Sequence, residues 1–139
     1  MEVLIVVVII GILAAIALPS YSNYVLRANR TVGKTLVMRI VAQQEGYFTD
    51  RKQYATALNT LATDYSAATM YVKRDGRVQA TNTSDTIYSV TLTGASATAY
   101  SVQLTPINAQ AKDTSCGTLT YASTGARTAS GTATDCWTR

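Results

Sequence analysis

The chain has 139 residues, 47% of them apolar, only 14% charged and none histidine. Charged residues usually make up about a quarter of a globular chain, so a highly charged disordered chain and a surface laced with ion pairs are both excluded. The missing imidazole removes the commonest general base and the usual Cys/His zinc sites, which argues against an enzyme and against a metal or other cofactor.

The first element is the run from Val3 to Leu18, VLIVVVIIGILAAIAL, without a charge or a hydrogen-bonding side chain. At 1.5 Å per residue it spans about 24 Å, slightly less than the roughly 30 Å hydrocarbon core of a bilayer. A cleaved secretory signal is the competing reading, but no basic segment precedes the run and Glu2 stands where Lys or Arg would be expected. A carboxylate beside a membrane-seeking segment either marks its solvated end or takes a positive partner from another chain; the residues alone leave both open.

Helical periodicity continues past Pro19. At 100° per residue Tyr21, Val25, Ala28, Val32 and Leu36 fall within roughly 80°, and Arg27, Arg30 and Lys34 within roughly 60° on nearly the opposite side. The pattern predicts an amphipathic helix running to about Phe48, with its apolar face on a sheet and its basic stripe either solvated or paired between subunits. The formal charge of +4 belongs to this helix: Arg27, Arg30, Lys34 and Arg39 lie together without an acid, and the other eight basic residues balance eight acids. That distribution supports nucleic-acid binding only weakly.

Residues 49–85 read as a polar connection, with a short helix in TALNTLATD at 56–64 and a turn at Lys73-Arg74-Asp75-Gly76-Arg77. Strands follow by alternation: Tyr88, Val90 and Leu92 against Ile87, Ser89 and Thr91, then Tyr100, Val102 and Leu104, then TLTYAS after Cys116. The eight acids are scattered, so no carboxylate pair is implied, and phosphate-binding glycine loops are absent from the sequence. The patterns Asn29-Arg30-Thr31 and Asn82-Thr83-Ser84 match glycosylation sequons, but patterns this short arise readily by chance. Cys116 and Cys136 are either two buried thiols or a disulfide formed outside the cytoplasm, and the export-like first segment favours the second.

The N-terminal sequence MEVLIVVVIIGILAAIALPSYSNYVLRANR resembles the signature of type IV pilins: an acidic residue near the processed end, an apolar helix containing a glycine, then Pro-Ser-Tyr and an Arg-bearing continuation. The tail from Cys116-Gly to Cys136-Trp is similar to the C-terminal disulfide loop of the type IVa, PilE-type members. The resemblance implies an α+β pilin fold, with a long N-terminal helix packed on an antiparallel sheet of about four strands. It divides the chain into a membrane and filament-core helix at 1–24 and a globular domain at 25–139, the latter comprising helix 25–48, connection 49–85 and sheet 86–139. Assembly residues would be Glu2, Gly11, Pro19, Arg27 and Arg30, with helicity lost between Gly11 and Pro19 in the filament and a Cys116–Cys136 disulfide closing the tail.

By the same resemblance the partners would be further copies in a helical filament, the inner-membrane assembly machinery, a prepilin peptidase, the bilayer before assembly, and a host surface or DNA. The chain would move from the inner membrane, in a Gram-negative cell, to an extracellular pilus serving adhesion, twitching motility or DNA uptake. The family's members lose a basic leader and are methylated at the new N-terminus; Met1 falls a few residues inside such a mature chain. The alternatives are a type II secretion pseudopilin and a minor pilin acting as adhesin or DNA receptor. The positive-inside rule would place the basic stripe in the cytoplasm, opposite to the side that the disulfide and the resemblance imply.

Overall fold

The computed structural model describes residues 2–138; the side chains at 2 and 17–20 lie outside that description. One helix, α1, covers Glu2–Arg51. Its first part is rich in β-branched residues of modest helix propensity, but helix is the form that satisfies every backbone group of a single segment in hydrocarbon. It ends at Lys52, which adopts a left-handed φ of 57° and whose amide donates to the Phe48 carbonyl at 2.8 Å, a common way to stop a helix. The end thus falls a turn beyond the predicted Phe48.

A single turn of helix, α2 at Leu58–Leu61, lies within the segment predicted for it. Gln44 ties the intervening loop to α1, donating to the Ala55 carbonyl and accepting from the Ala55 amide, both at 2.9 Å. The sheet has six strands: β1 Thr69–Lys73, β2 Val78–Gln79, β3 Thr86–Thr93, β4 Ser101–Pro106, β5 Leu119–Ala122 and β6 Arg127–Ala129. All neighbours are antiparallel, in the order β2-β1-β3-β4-β5-β6. About four strands had been expected. The additional pair, β1 and β2, comes from the stretch read as a connection, and Lys73 to Arg77 is the turn that joins them: the Lys73 amide donates to the Arg77 carbonyl at 2.9 Å.

Pairing aligns Met70 with Val90, Val90 with Leu104 and Leu104 with Leu119. These residues, with Val72, Tyr88 and Val102, form one buried sheet face, which period-two alternation turns toward α1. The matching helix stripe is Asn29, Arg30, Gly33, Leu36, Val37, Ile40 and Gln44, all buried. It is rotated by about 100° from the predicted arc, and Tyr21 of that arc is 70% exposed. The reason is Gly33. A Cβ there would sit 2.6 Å from Leu104 Cδ2 and 3.1 Å from the Tyr88 ring, so the bare backbone lets the helix settle onto the sheet. An apolar count gives glycine no weight and counts Asn29, Arg30 and Gln44 as surface.

A short 3-10 helix, Asn108–Lys112, follows β4. A disulfide joins Cys116 to Cys136 and pins the segment after that helix to the C-terminus. At its side Gly131 approaches so closely that a Cβ would lie 2.1 Å from the Ser115 carbonyl oxygen, so the tail tolerates no side chain there.

Candidate functional site

The first half of α1 has nothing over it. Val3, Leu4, Ile5, Val6, Val7, Val8, Ile9, Ile10, Ile12, Leu13 and Ile16 are between 51% and 76% exposed, and the most apolar window of the helix has none of its residues buried. Fully covering a large aliphatic side chain contributes about 1.5–3 kcal/mol, so these eleven part-exposed residues represent on the order of 10–20 kcal/mol, comparable to the 5–15 kcal/mol that typically holds a domain folded. The segment therefore requires lipid or other helices around it. Gly11 has open space within 4 Å of where a Cβ would stand, so unlike Gly33 it answers to no contact inside the chain. The side chains of Glu2 and Pro19 lie outside the described residues.

Arg30 departs from the expected solvated stripe. It is 6% exposed and makes a two-pronged ion pair with Asp113, Nε to Oδ2 and Nη2 to Oδ1, each 2.6 Å. Its Nη2 also donates to Ser115 Oγ at 2.8 Å, and Ser115 Oγ donates to Asp113 Oδ1 at 2.9 Å. Asn29 donates to Gln110 Oε1 at 2.8 Å, and Gln110 Nε2 donates to the Tyr88 hydroxyl at 3.0 Å and to the Leu26 carbonyl at 3.2 Å. A planar guanidinium matches a carboxylate in this way with both bonds parallel. Burial pushes the Asp113 carboxyl up, but the bonds from Arg30 and Ser115 outweigh it and hold the group below the ordinary carboxylate range. The hydrogen bond to Asp113 correspondingly raises Arg30 against the effect of burial. Among the described residues no buried side-chain nitrogen or oxygen is left without a partner.

This network fastens α1 to the strand of chain leading into the disulfide, since the Cys116 amide also donates to Asp113 Oδ1 at 3.4 Å. Sequence reasoning left Arg30 either solvated or paired between subunits and missed Asp113, Gln110 and Asn29. For Asn29 the sequence signal is that it shares one helical face with Arg30, Gly33 and Gln44. Arg27 remains exposed and borders a polar cleft with Lys112, Thr114 and Asp135.

A second cleft, of about 370 Å³, lies between α1 and the tail, lined by Thr31, Lys34, Thr35, Met38, Arg127 and Trp137. The Arg127 guanidinium stands 5.5 Å from the Tyr121 ring centre and 5.9 Å from that of Trp137. Trp137 is held by its indole N–H, which donates to the Thr128 carbonyl at 2.9 Å. Cations beside aromatic faces on a rigid rim are suited to a phosphate backbone or an acidic surface. The turn cations are partly spent locally: Lys73 pairs with Asp85 at 3.1 Å and Arg77 with Asp75 at 3.4 Å.

A helix half buried in its own sheet and half bare, over an antiparallel sheet closed by a C-terminal disulfide, defines the chain as a pilin. It belongs to the family described as type IV minor pilin ComP, DNA uptake sequence receptor, whose model matches residues 19–120. It is 35% identical over 60 residues to the type IV major pilin protein PilA of Myxococcus xanthus strain DK1622, covering 43% of this chain and 27% of that protein. The chain thus spans about a quarter of the length of that curated relative. A solved type IV pilin from Shewanella oneidensis matches with a TM-score of 0.54 at 19% identity, covering 82% of this chain and 99% of the other, a likeness of fold.

Proposed function

We propose that the chain is a structural subunit of a type IV pilus, held in the inner membrane by the start of α1 and then packed through the same surface into a filament core. The observation that carries this reading is the uncovered apolar half of α1, whose burial is worth about as much as a typical folding free energy. Residues 1–24 would form the core and residues 25–139 the outer wall. Glu2 would pair with the N-terminal ammonium of a neighbouring subunit, which offsets its burial and fixes axial register. The stretch from Gly11 to Pro19 would lengthen on assembly, its freed carbonyls satisfied by neighbours, and Arg27 would contact an adjacent copy. Delivery by the assembly machinery and a prepilin peptidase, and exposure on the surface of a Gram-negative cell for adhesion or twitching motility, follow from this assignment. The test is Glu2→Ala: membrane levels should match wild type while sheared surface filaments disappear. Filaments at wild-type yield would sink the register role.

A second reading, that the subunit is a DNA receptor, is supported by the family match and by the Lys34–Arg127–Trp137 cleft. Phosphate contacts dominate affinity for duplex DNA and give it a steep salt dependence. A gel-shift salt series on the detergent-solubilised chain tests this, and binding indifferent to salt would refute it.

A further inference from the structure

Among the basic residues that follow the apolar run, Arg30 is buried and Arg27 is exposed. Arg30 is occupied by Asp113. Arg27 and Lys112 are both exposed, and both border the polar cleft of about 350 Å³ that also includes Asn23, Thr114 and Asp135. This cleft is at the end of the domain from which α1 departs toward the apolar run. Gln110 reaches the Leu26 carbonyl and Asp113 grips Arg30, so the 3-10 helix and the turn after it stand level with residues 26–30.

Distance along the helix places this cleft beside the bilayer. Nine residues separate positions 18 and 27, about 13 Å of rise. Helical side chains lean back toward the N-terminus, which returns the Arg27 guanidinium several ångströms toward a headgroup layer about 5–7 Å deep. Tyr21, 70% exposed, stands about 5 Å past position 18, inside that layer, and the equally exposed Tyr24 about 9 Å past it, at the layer's outer margin; amphipathic aromatic rings favour the membrane–water boundary.

We propose that the Arg27–Lys112 cleft binds the phosphate headgroup of an anionic phospholipid in the leaflet from which α1 emerges, an inference that rests on the reading of the apolar run as membrane-spanning. The guanidinium and ammonium supply the charge, and the Thr114 hydroxyl supplies a neutral donor. Asp113 does not oppose the ligand, because its two oxygens are engaged by Arg30. Asp135 bounds the site and acts on the charges of Arg30 and Lys34, so a single headgroup fits where an extended polyanion would run into a carboxylate. The lipid would hold the unassembled subunit upright on the membrane and leave as Arg27 is passed to a neighbouring copy. Arg27, within the basic stripe, would then serve a purpose that does not depend on topology signals.

The chain is reconstituted into nanodiscs of phosphatidylcholine containing about one fifth phosphatidylglycerol, and lipids retained on release are counted by native mass spectrometry. A basic residue beside an anionic surface contributes about fivefold in binding, hence roughly twenty-five-fold for the pair. Wild type should retain phosphatidylglycerol, Arg27→Ala/Lys112→Ala should lose that preference, and Arg51→Ala, in the last turn of α1, should keep it. Equal retention by wild type and the double variant overturns the site. Displacement of phosphatidylglycerol by a short DNA duplex at equal phosphate concentration assigns the cleft to nucleic acid and overturns it too. A chain that does not insert even into pure phosphatidylcholine overturns the spanning reading as well. That outcome is separate from an inserted chain without headgroup preference, which overturns the lipid site alone.

Discussion

Replacing Asp113 by Ala would leave the Arg30 guanidinium, 6% exposed, with Ser115 Oγ as its remaining partner. Two charge-assisted bonds of 2.6 Å would be lost and a charge stranded among buried groups. Removing one member of a buried pair costs about 3–5 kcal/mol, whereas replacing both members by apolar groups of similar volume is often neutral or better. For a globular part of this size, where 1 kcal/mol shifts the midpoint by about 4 °C, Asp113→Ala should lower Tm by at least about 12 °C. Arg30→Met/Asp113→Leu should recover most of that loss. The assay is circular-dichroism melting of the detergent-solubilised chain, completed as a double-mutant cycle. A loss below about 1 kcal/mol for Asp113→Ala, the value expected for an exposed pair, or a double variant no better than the single one, would refute the assignment of a buried clamp.

Because the Asp113 carboxyl is held below its ordinary value, its stabilisation is fully present above the unfolded-state pKa of about 3.9 and is lost as pH falls through the folded value; urea midpoints should therefore fall more steeply below pH 4 in wild type than in Asp113→Asn. Gly33→Ala should cost about 1–3 kcal/mol by overpacking, since its Cβ would meet Leu104 and Tyr88 within the core, and denaturant titration reads this directly. Cys116→Ser should cost about 3 kcal/mol through the opened 20-residue loop, leave membrane insertion intact and lower pilus yield; a normal yield would count against a role for the bridge in assembly. If Lys34 and Arg127 contact DNA phosphates, each replacement by Ala should reduce the salt slope of binding by about 1, and an unchanged slope would remove those residues from the interface.

The legible parts of the sequence were those where one residue type repeats at a local period. The apolar run shows itself over sixteen positions without a break, and the alternation around Val90 and Leu104 gave the central strands and their buried face. β1 was hidden because TMYVK follows an Ala- and Thr-rich loop and only Met70 and Val72 point inward. β6 is three residues long, too short for any period to register. The helix face was misplaced because the contact surface is organised by an absent side chain at Gly33 and by polar groups whose partners are far away in sequence. Arg30 and Asp113 are 83 positions apart, and nothing local to either marks it as half of a pair. The clamp therefore became visible only in three dimensions, although the three residues from Asp113 to Cys116 already placed a carboxylate next to the bridge.

The two ends of the sheet are its shortest strands, two residues in β2 and three in β6, and β6 is mostly exposed and begins with a cation. A long bare edge is a template for unintended strand pairing, and very short or charged edges suppress it. In a filament, identical domains are crowded side by side at concentrations no free protein reaches, so an adhesive edge would fuse neighbours irreversibly. With both edges blunted, copies packed through their helices in the proposed filament would still be able to separate when the fibre is taken apart.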